Sequence, residues 1–402
     1  MNPMKKIYCR IFQTALRLSF PVLPYRRPET VNSVEDLPAL LKEKAPGCVL
    51  IITDPGVMGL GLTKRLEEAL GGAGIPYALY DKVVANPTTA TVEEARNLYL
   101  ERQCGAIIGI GGGSSMDCAK GVGVRIARPG KPLSKCKGIL KVRKKLPLLI
   151  AIPTTAGTGS ETTLAAVITD AQTRHKYAIN DFPLIPRYAV LDPEMTVSLP
   201  PALTASTGMD ALTHAVEAYI GRSTTPGTRA DALSAVKLIF GNLDTAYRDG
   251  ENLEARRNML QAAYQAGCAF TKSYVGYVHA LAHSLGGEYN VPHGYANAVI
   301  LPFVLEAYGP AAHKKLADLA CAAGVARPDT PQEEAAKTFI REIQAMKGRF
   351  QIGDTVPELC REDIPKLARY ADQEANPLYP VPVLWNAREL ERLYELLLEE
   401  PS

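Results

Sequence analysis

Short apolar runs and stretches of helical period alternate along the first half of this 402-residue chain. Residues 47–54 read as a buried strand ending in polar groups, and a helix over 60–70 is stopped by Gly-Gly-Ala-Gly at 71–74. A second strand suits 77–80. A helix over 91–102 takes Thr91 as N-cap with Glu94 at the capping-box position. Further strands fit 104–110 and 148–153. Strands alternating with helices predict a parallel, Rossmann-like sheet covered on both faces. After Leu-Asp-Pro-Glu at 191–194 and the Pro200, Pro201 pair, helical periods fill 204–220, 228–247, 253–270 and 278–285, and strand-like runs become scarce. The reading is an extension over 1–28, an α/β domain over 29–197 and an all-α domain over 198–402, without internal repeats.

The extension has its own pattern. Lys6, Arg10, Gln13 and Arg17 share one helical face, while Ile7, Ile11, Phe12, Ala15 and Leu18 gather opposite. Arg10, Gln13 and Arg17 interrupt any signal-peptide core. Three readings stay open: a helix docked on the protein's own body or a second subunit, a transit peptide, and a helix on a membrane surface. A basic run over 131–145 reads as a solvated loop.

Composition narrows the class. Hydrophobic residues make up 47% and charged residues 22%, which suits an ordinary globular chain. A net charge of +3 speaks against a nucleic-acid partner held by bulk charge. No apolar run approaches the ~18 residues of a membrane span. Eight scattered cysteines without a C-x-x-C pair indicate reduced thiols and a cytoplasmic setting.

Chemistry concentrates at three places. Gly-Gly-Gly-Ser-Ser-Met-Asp at 111–117 follows a strand and opens a helix, an arrangement that can cradle a phosphate, although it is not the G-x-G-x-x-G spacing. Thr-Thr-Ala-Gly-Thr-Gly-Ser-Glu at 154–161 follows another strand, where open α/β sheets bind ligands. Asp54, ending the first strand, is placed to accept ribose hydroxyls and repel a 2′-phosphate, favouring NAD over NADP. Histidines form the third signal: His279, His283 and His293 fall within fifteen residues, and Asp210 and His214 stand four apart, as do His279 and His283. That spacing puts each pair on one helical face. Imidazoles with a carboxylate suit Fe(II), Zn or Mn, and Ala280 where H-E-x-x-H needs glutamate disfavours a zincin protease.

Together with Gly-Met-Asp-Ala-Leu-Thr-His at 208–214, the segment 276–287 and Pro-His-Gly-Tyr-Ala-Asn at 292–297, these motifs resemble the iron-containing (group III) alcohol dehydrogenase family from about residue 29 to the C-terminus. The resemblance implies a nucleotide-binding α/β domain, a helical metal domain and a cleft between them. It assigns Asp210, His214, His279 and His293 as metal ligands, and His283 to proton relay beside the nicotinamide; spacing alone would have paired His279 with His283. It carries cofactor contacts to Asp54, Asn86, Gly112, Gly113, Ser114, Asp117, Thr154, Thr155, Thr158, Thr163 and Lys176. The implied protein is a homo-oligomer using Fe(2+), or Zn(2+), with NAD(H) in preference to NADP(H), to interconvert a small alcohol or diol and its aldehyde or ketone. Alternatives are a dehydroquinate synthase-like lyase, which would need a basic set for an acidic substrate, a maleylacetate reductase, in which the metal ligands are commonly lost, and a metal-dead binding protein.

Overall fold

The structure is a computed structural model that describes residues 1–172 and 176–399. The chain forms two compact units: Pro24–Leu199 with Gly250–Leu260, and Met1–Leu23 with Pro200–Asp249 and Gln261–Ser402. Where the sequence suggests one division near 197, the chain thus returns to the first unit over 250–260, and its first residues join the second.

In the first unit, nine strands run β1 (Glu29–Val31), β2 (Val49–Ile52), β3 (Tyr77–Tyr80), β4 (Ala106–Gly111), β5 (Gly138–Ile139), β6 (Leu148–Pro153), β7 (Ala165–Thr169), β8 (Lys176–Asn180) and β9 (Tyr188–Val190). Six of them form one parallel sheet in the order β1-β9-β6-β4-β2-β3. β2 and β4 are buried at every residue, as strands covered on both faces must be. Side chains alternate between two cores: Leu50, Ile52 and Ile107 enter one, Val49, Ile51 and Ile108 the other. A second sheet, β5-β8-β7, was not anticipated from the sequence. Its β7 and β8 alternate buried with more exposed positions. Polar residues bound β8, whereas β7 lies in an apolar run over 164–168 that the sequence reading passed over.

Two local readings are corrected. The helix Thr89–Glu101 starts earlier, with Thr88 as N-cap accepting from the Thr91 amide, and Glu94 instead accepts from the Tyr80 hydroxyl. The helix expected over 60–70 runs instead from Lys64 to Gly72, after a separate short helix Pro55–Gly59 capped by Asp54.

The second unit is helical, and no strand follows β9 among the described residues. Its amino-terminal helix, Pro3–Ser19, docks on the unit's own carboxyl-terminal region, and does so by its polar side. Arg10 donates to the carbonyls of Val381 (2.7 Å) and Pro382 (2.9 Å). Gln13 Nε2 donates to those of Pro377 (3.1 Å) and Tyr379 (2.7 Å). Lys5 pairs with Asp372, the Met1 amine with Glu389, and Cys9 is fully buried. No helix among the described residues is long and apolar enough to cross a membrane.

Candidate active site

Helix Pro201–Ile220 supplies Asp210, His214 and Glu217 at positions i, i+4 and i+7, one face of the helix. Helix Tyr277–Tyr289 adds His279. His293 is the first residue of helix His293–Tyr308, three residues after the left-handed Asn290. One ligand atom from each of Asp210, His214, His279 and His293 lies within 4.8 Å of all the others. Asp210 Oδ1 is 3.4 Å from His293 Nε2 and 3.9 Å from both His279 Nε2 and His214 Nδ1. Four donors at zinc-like bond lengths around an ion stand ~3.4 Å apart, so a small contraction would close the set.

The surroundings suit such a role. Asp210, His214 and His279 are buried, whereas His293 is partly open. His214 stacks on Phe270 with ring centres 4.2 Å apart. Burial first, then neighbouring His214, His293 and His283, hold the His279 imidazole well below its ordinary value, so it is neutral with a lone pair to offer. Glu217 Oε2 lies 2.6 Å from His279 Nδ1, which places the ring proton there and turns Nε2 toward Asp210. The same carboxylate accepts from the Gly276 and Val278 amides, both at 2.8 Å, while burial pushes it up to about 7. Gly276 is required by this approach: a Cβ there would sit 2.6 Å from Glu217 Oε1. Asn297, one turn after His293, completes the cluster with Nδ2 2.7 Å from Asp210 Oδ1 and 3.0 Å from His293 Nε2.

His283 is one turn beyond His279 and outside the four-donor group. Its ring stacks on His293 at 5.1 Å, and its Nδ1 lies 2.6 Å from Glu374 Oε1, which also accepts from the Tyr379 hydroxyl at 2.7 Å. Burial alone would raise the Glu374 carboxyl; the charge and hydrogen bond of His283, helped by Tyr379, hold it below its ordinary value.

In the sheet unit, the adjacent β2, β4 and β6 lead into Asp54, Gly112 and Thr154, and the Thr154 amide donates to Gly111 at 3.0 Å. Gly111 has φ 144°, and a Cβ there would strike Ser115. Gly112 and Gly113 open helix Gly113–Ala127 and leave space that a Cβ would fill, 3.8 Å from Thr155 Oγ1 and 3.5 Å from Thr158 Cγ2. Thr155 Oγ1 is buried without a hydrogen-bond partner, an orphan that a ligand oxygen would satisfy. Ser114 accepts from the Asn86 amide at 3.3 Å, and Lys176 Nζ donates to Asn86 Oδ1 at 2.6 Å.

Three expected contacts are engaged within the unit. Asp54 accepts from the Val57 amide (3.1 Å) and Ser115 Oγ (2.9 Å). Asp117 accepts from Ser160 Oγ (3.1 Å) and the Val167 amide (2.9 Å), and Thr163 Oγ1 accepts from Lys120 at 2.8 Å. Sequence reasoning passed over Lys120 and Glu161, both fully buried; burial lowers the former to about 8 and raises the latter to about 7. It also passed over Glu217, Asn297 and Glu374. The i+7 spacing from Asp210 and the i+4 spacing from His293 signal the first two; nothing near His283 in the chain signals Glu374.

Comparison with known proteins follows the same division. Residues 29–193 match the profile of iron-containing alcohol dehydrogenase, and residues 204–397 that of the Fe-containing alcohol dehydrogenase family, C-terminal. Alcohol dehydrogenase 4 of Saccharomyces cerevisiae is 39% identical over 348 residues, covering 86% of this chain and 89% of that one. The NAD-dependent methanol dehydrogenase of Bacillus methanolicus is 36% identical over 345 residues, covering 85% and 90%. The crystal structure of a 1,3-propanediol oxidoreductase superposes with a TM-score of 0.89 at 34% identity, covering 94% of this chain and all of the other.

Proposed function

Because the chain belongs to the iron-containing alcohol dehydrogenase family, we propose that it reversibly oxidises a small alcohol or diol to its aldehyde or ketone with NAD, using an ion held by Asp210, His214, His279 and His293. The observation that carries this reading is the convergence of one carboxylate oxygen and three imidazole nitrogens within 4.8 Å. That donor set suits Fe(2+), with Zn(2+) as the alternative. When bound, the ion supplies Lewis acidity that lowers the pKa of an alcohol hydroxyl. NAD supplies hydride acceptance, and the protein's share is to hold it.

This chain's residues then do the following. Glu217 fixes the tautomer and aim of His279. His283, its Nδ1 held by Glu374, presents Nε2 to take up or return the hydroxyl proton. Gly112, Gly113 and the head of helix Gly113–Ala127 receive the phosphates, with Ser114, Asn86, Lys176, Thr155 and Thr158 around them. Asp54 faces the ribose and disfavours NADP(H). Asp117, Thr154 and Thr163 support these loops from within. The free cysteines support a reducing, cytoplasmic setting, and a homo-oligomer remains part of the reading.

The deciding experiment incubates metal-free protein with Fe(2+) or Zn(2+) and assays small alcohols, diols and aldehydes with NAD(H) and NADP(H). Activity that appears with metal and is higher with NAD(H) supports the reading; turnover undiminished by complete metal removal overturns it.

A further inference from the structure

The amino-terminal helix Pro3–Ser19 buries its polar side and leaves its apolar side in water. Met4, Ile7, Tyr8, Ile11 and Leu18 are 77%, 61%, 58%, 64% and 69% exposed, and Val22, just beyond, is 82% exposed. An apolar stripe of this kind, contiguous along five turns, is unlike scattered surface hydrophobics and marks an interaction surface. The residues that usually give such a helix its water-facing side, Arg10 and Gln13, are bonded to backbone carbonyls of the 377–382 segment. The stripe is therefore mounted on the body, facing outward.

Charge selects the occupant. The first 28 residues carry Lys5, Lys6, Arg10, Arg17, Arg26 and Arg27 and no acid, in a chain whose net charge is only +3. Lys6 and Arg17, on the same helical face as Arg10 and Gln13, remain exposed. The six residues of the stripe are about a quarter of the ~20–30 residues a side that a stable protein interface needs. An anionic lipid surface meets both properties: acyl chains take the apolar stripe, and headgroup phosphates take Lys6 and Arg17.

We infer that this helix seats the protein reversibly on anionic phospholipid, lying in the plane of the membrane surface with Met4, Ile7, Tyr8, Ile11 and Leu18 inserted below the headgroups. The test is flotation of the full-length protein with vesicles of phosphatidylcholine and phosphatidylglycerol, beside vesicles of phosphatidylcholine alone. The wild type floats with the anionic vesicles, and binding weakens as salt rises. Combining Lys6→Gln with Arg17→Gln lowers partitioning about thirtyfold, at about fivefold per charge. The triple change Ile7→Glu, Ile11→Glu, Leu18→Glu abolishes flotation and leaves sedimentation and activity as in the wild type, since these side chains are mostly exposed. A wild type that stays unbound with anionic vesicles overturns the inference, as does a triple variant that floats equally well. A triple variant of smaller sedimenting mass also overturns it and assigns the face to a second copy.

Discussion

His279 and His283 stand four residues apart on one helix, yet their partners differ: Glu217 and the Asp210 carboxylate for one, Glu374 for the other. Removing a ligand should empty the site, whereas removing a relay group should spare it. His279→Ala and His293→Ala are therefore expected to purify without iron or zinc and without activity. His283→Ala should keep full metal content and lose about 10²–10⁴-fold in rate; metal analysis with turnover on the three proteins checks the assignment. Glu217 tests the support behind the ligands. Glu217→Gln keeps the shape but weakens the hold on His279, and metal affinity should fall about 10–100-fold by titration with Zn(2+). Glu217→Ala should also lower the melting temperature, because the Gly276 and Val278 amides lose their acceptor at a cost of about 1–3 kcal/mol each. Much of this cluster is legible from spacing, since Asp210, His214 and Glu217 repeat with the helix. Glu374 is not, because its meeting with His283 joins residues 91 apart in the chain.

At the scale of elements, one carboxylate does three things. Asp54 carries the chain out of β2, caps helix Pro55–Gly59, and ties Ser115 of the helix that opens at Gly113. Replacing it with glycine would mix a cofactor effect with loss of the cap. Asp54→Asn retains an acceptor for the Val57 amide and removes the charge. The ratio of kcat/KM for NADH over NADPH is then expected to fall about tenfold or more, with the melting temperature changed by only a few degrees. The strands that could be read in advance, β2, β3, β4 and β6, are those whose apolar runs are uninterrupted. β1 and β9 have three residues each and are too short to show a period, and β8 is bounded by Lys176 and Asn180; the apolar run of β7 was passed over. The N-cap at Thr88 was missed because Thr89 and Thr91 offer the same chemistry within three residues.

At the scale of the whole molecule, Glu161 ties stability to pH. Burial raises its carboxyl from the ordinary 4.5 to about 7, and its Oε1 has no partner. Below pH 4.5 folded and unfolded chains are both protonated, and the contribution is complete. It is lost progressively between pH 4.5 and 7, where the unfolded chain releases a proton that the folded chain keeps, and above 7 the folded chain must bury a charge. Glu161→Gln should remove this slope and gain on the order of 3 kcal/mol over the wild type at pH 8, visible as melting temperatures that converge at pH 4 and separate at pH 8. Truncation to Pro28 addresses the amino-terminal helix: the four proposed ligands lie beyond residue 200, so metal content should hold. Its effect on rate is another matter. The carbonyls of Pro377, Tyr379, Val381 and Pro382 accept from Arg10 and Gln13, and the hydroxyl of that same Tyr379 steadies Glu374 beneath His283. The helix is thus a brace on the stretch of chain from which the proton-handling histidine hangs. Cut away, it leaves a protein as rich in metal as before and several-fold slower, a loss that no change at the ligands themselves would imitate.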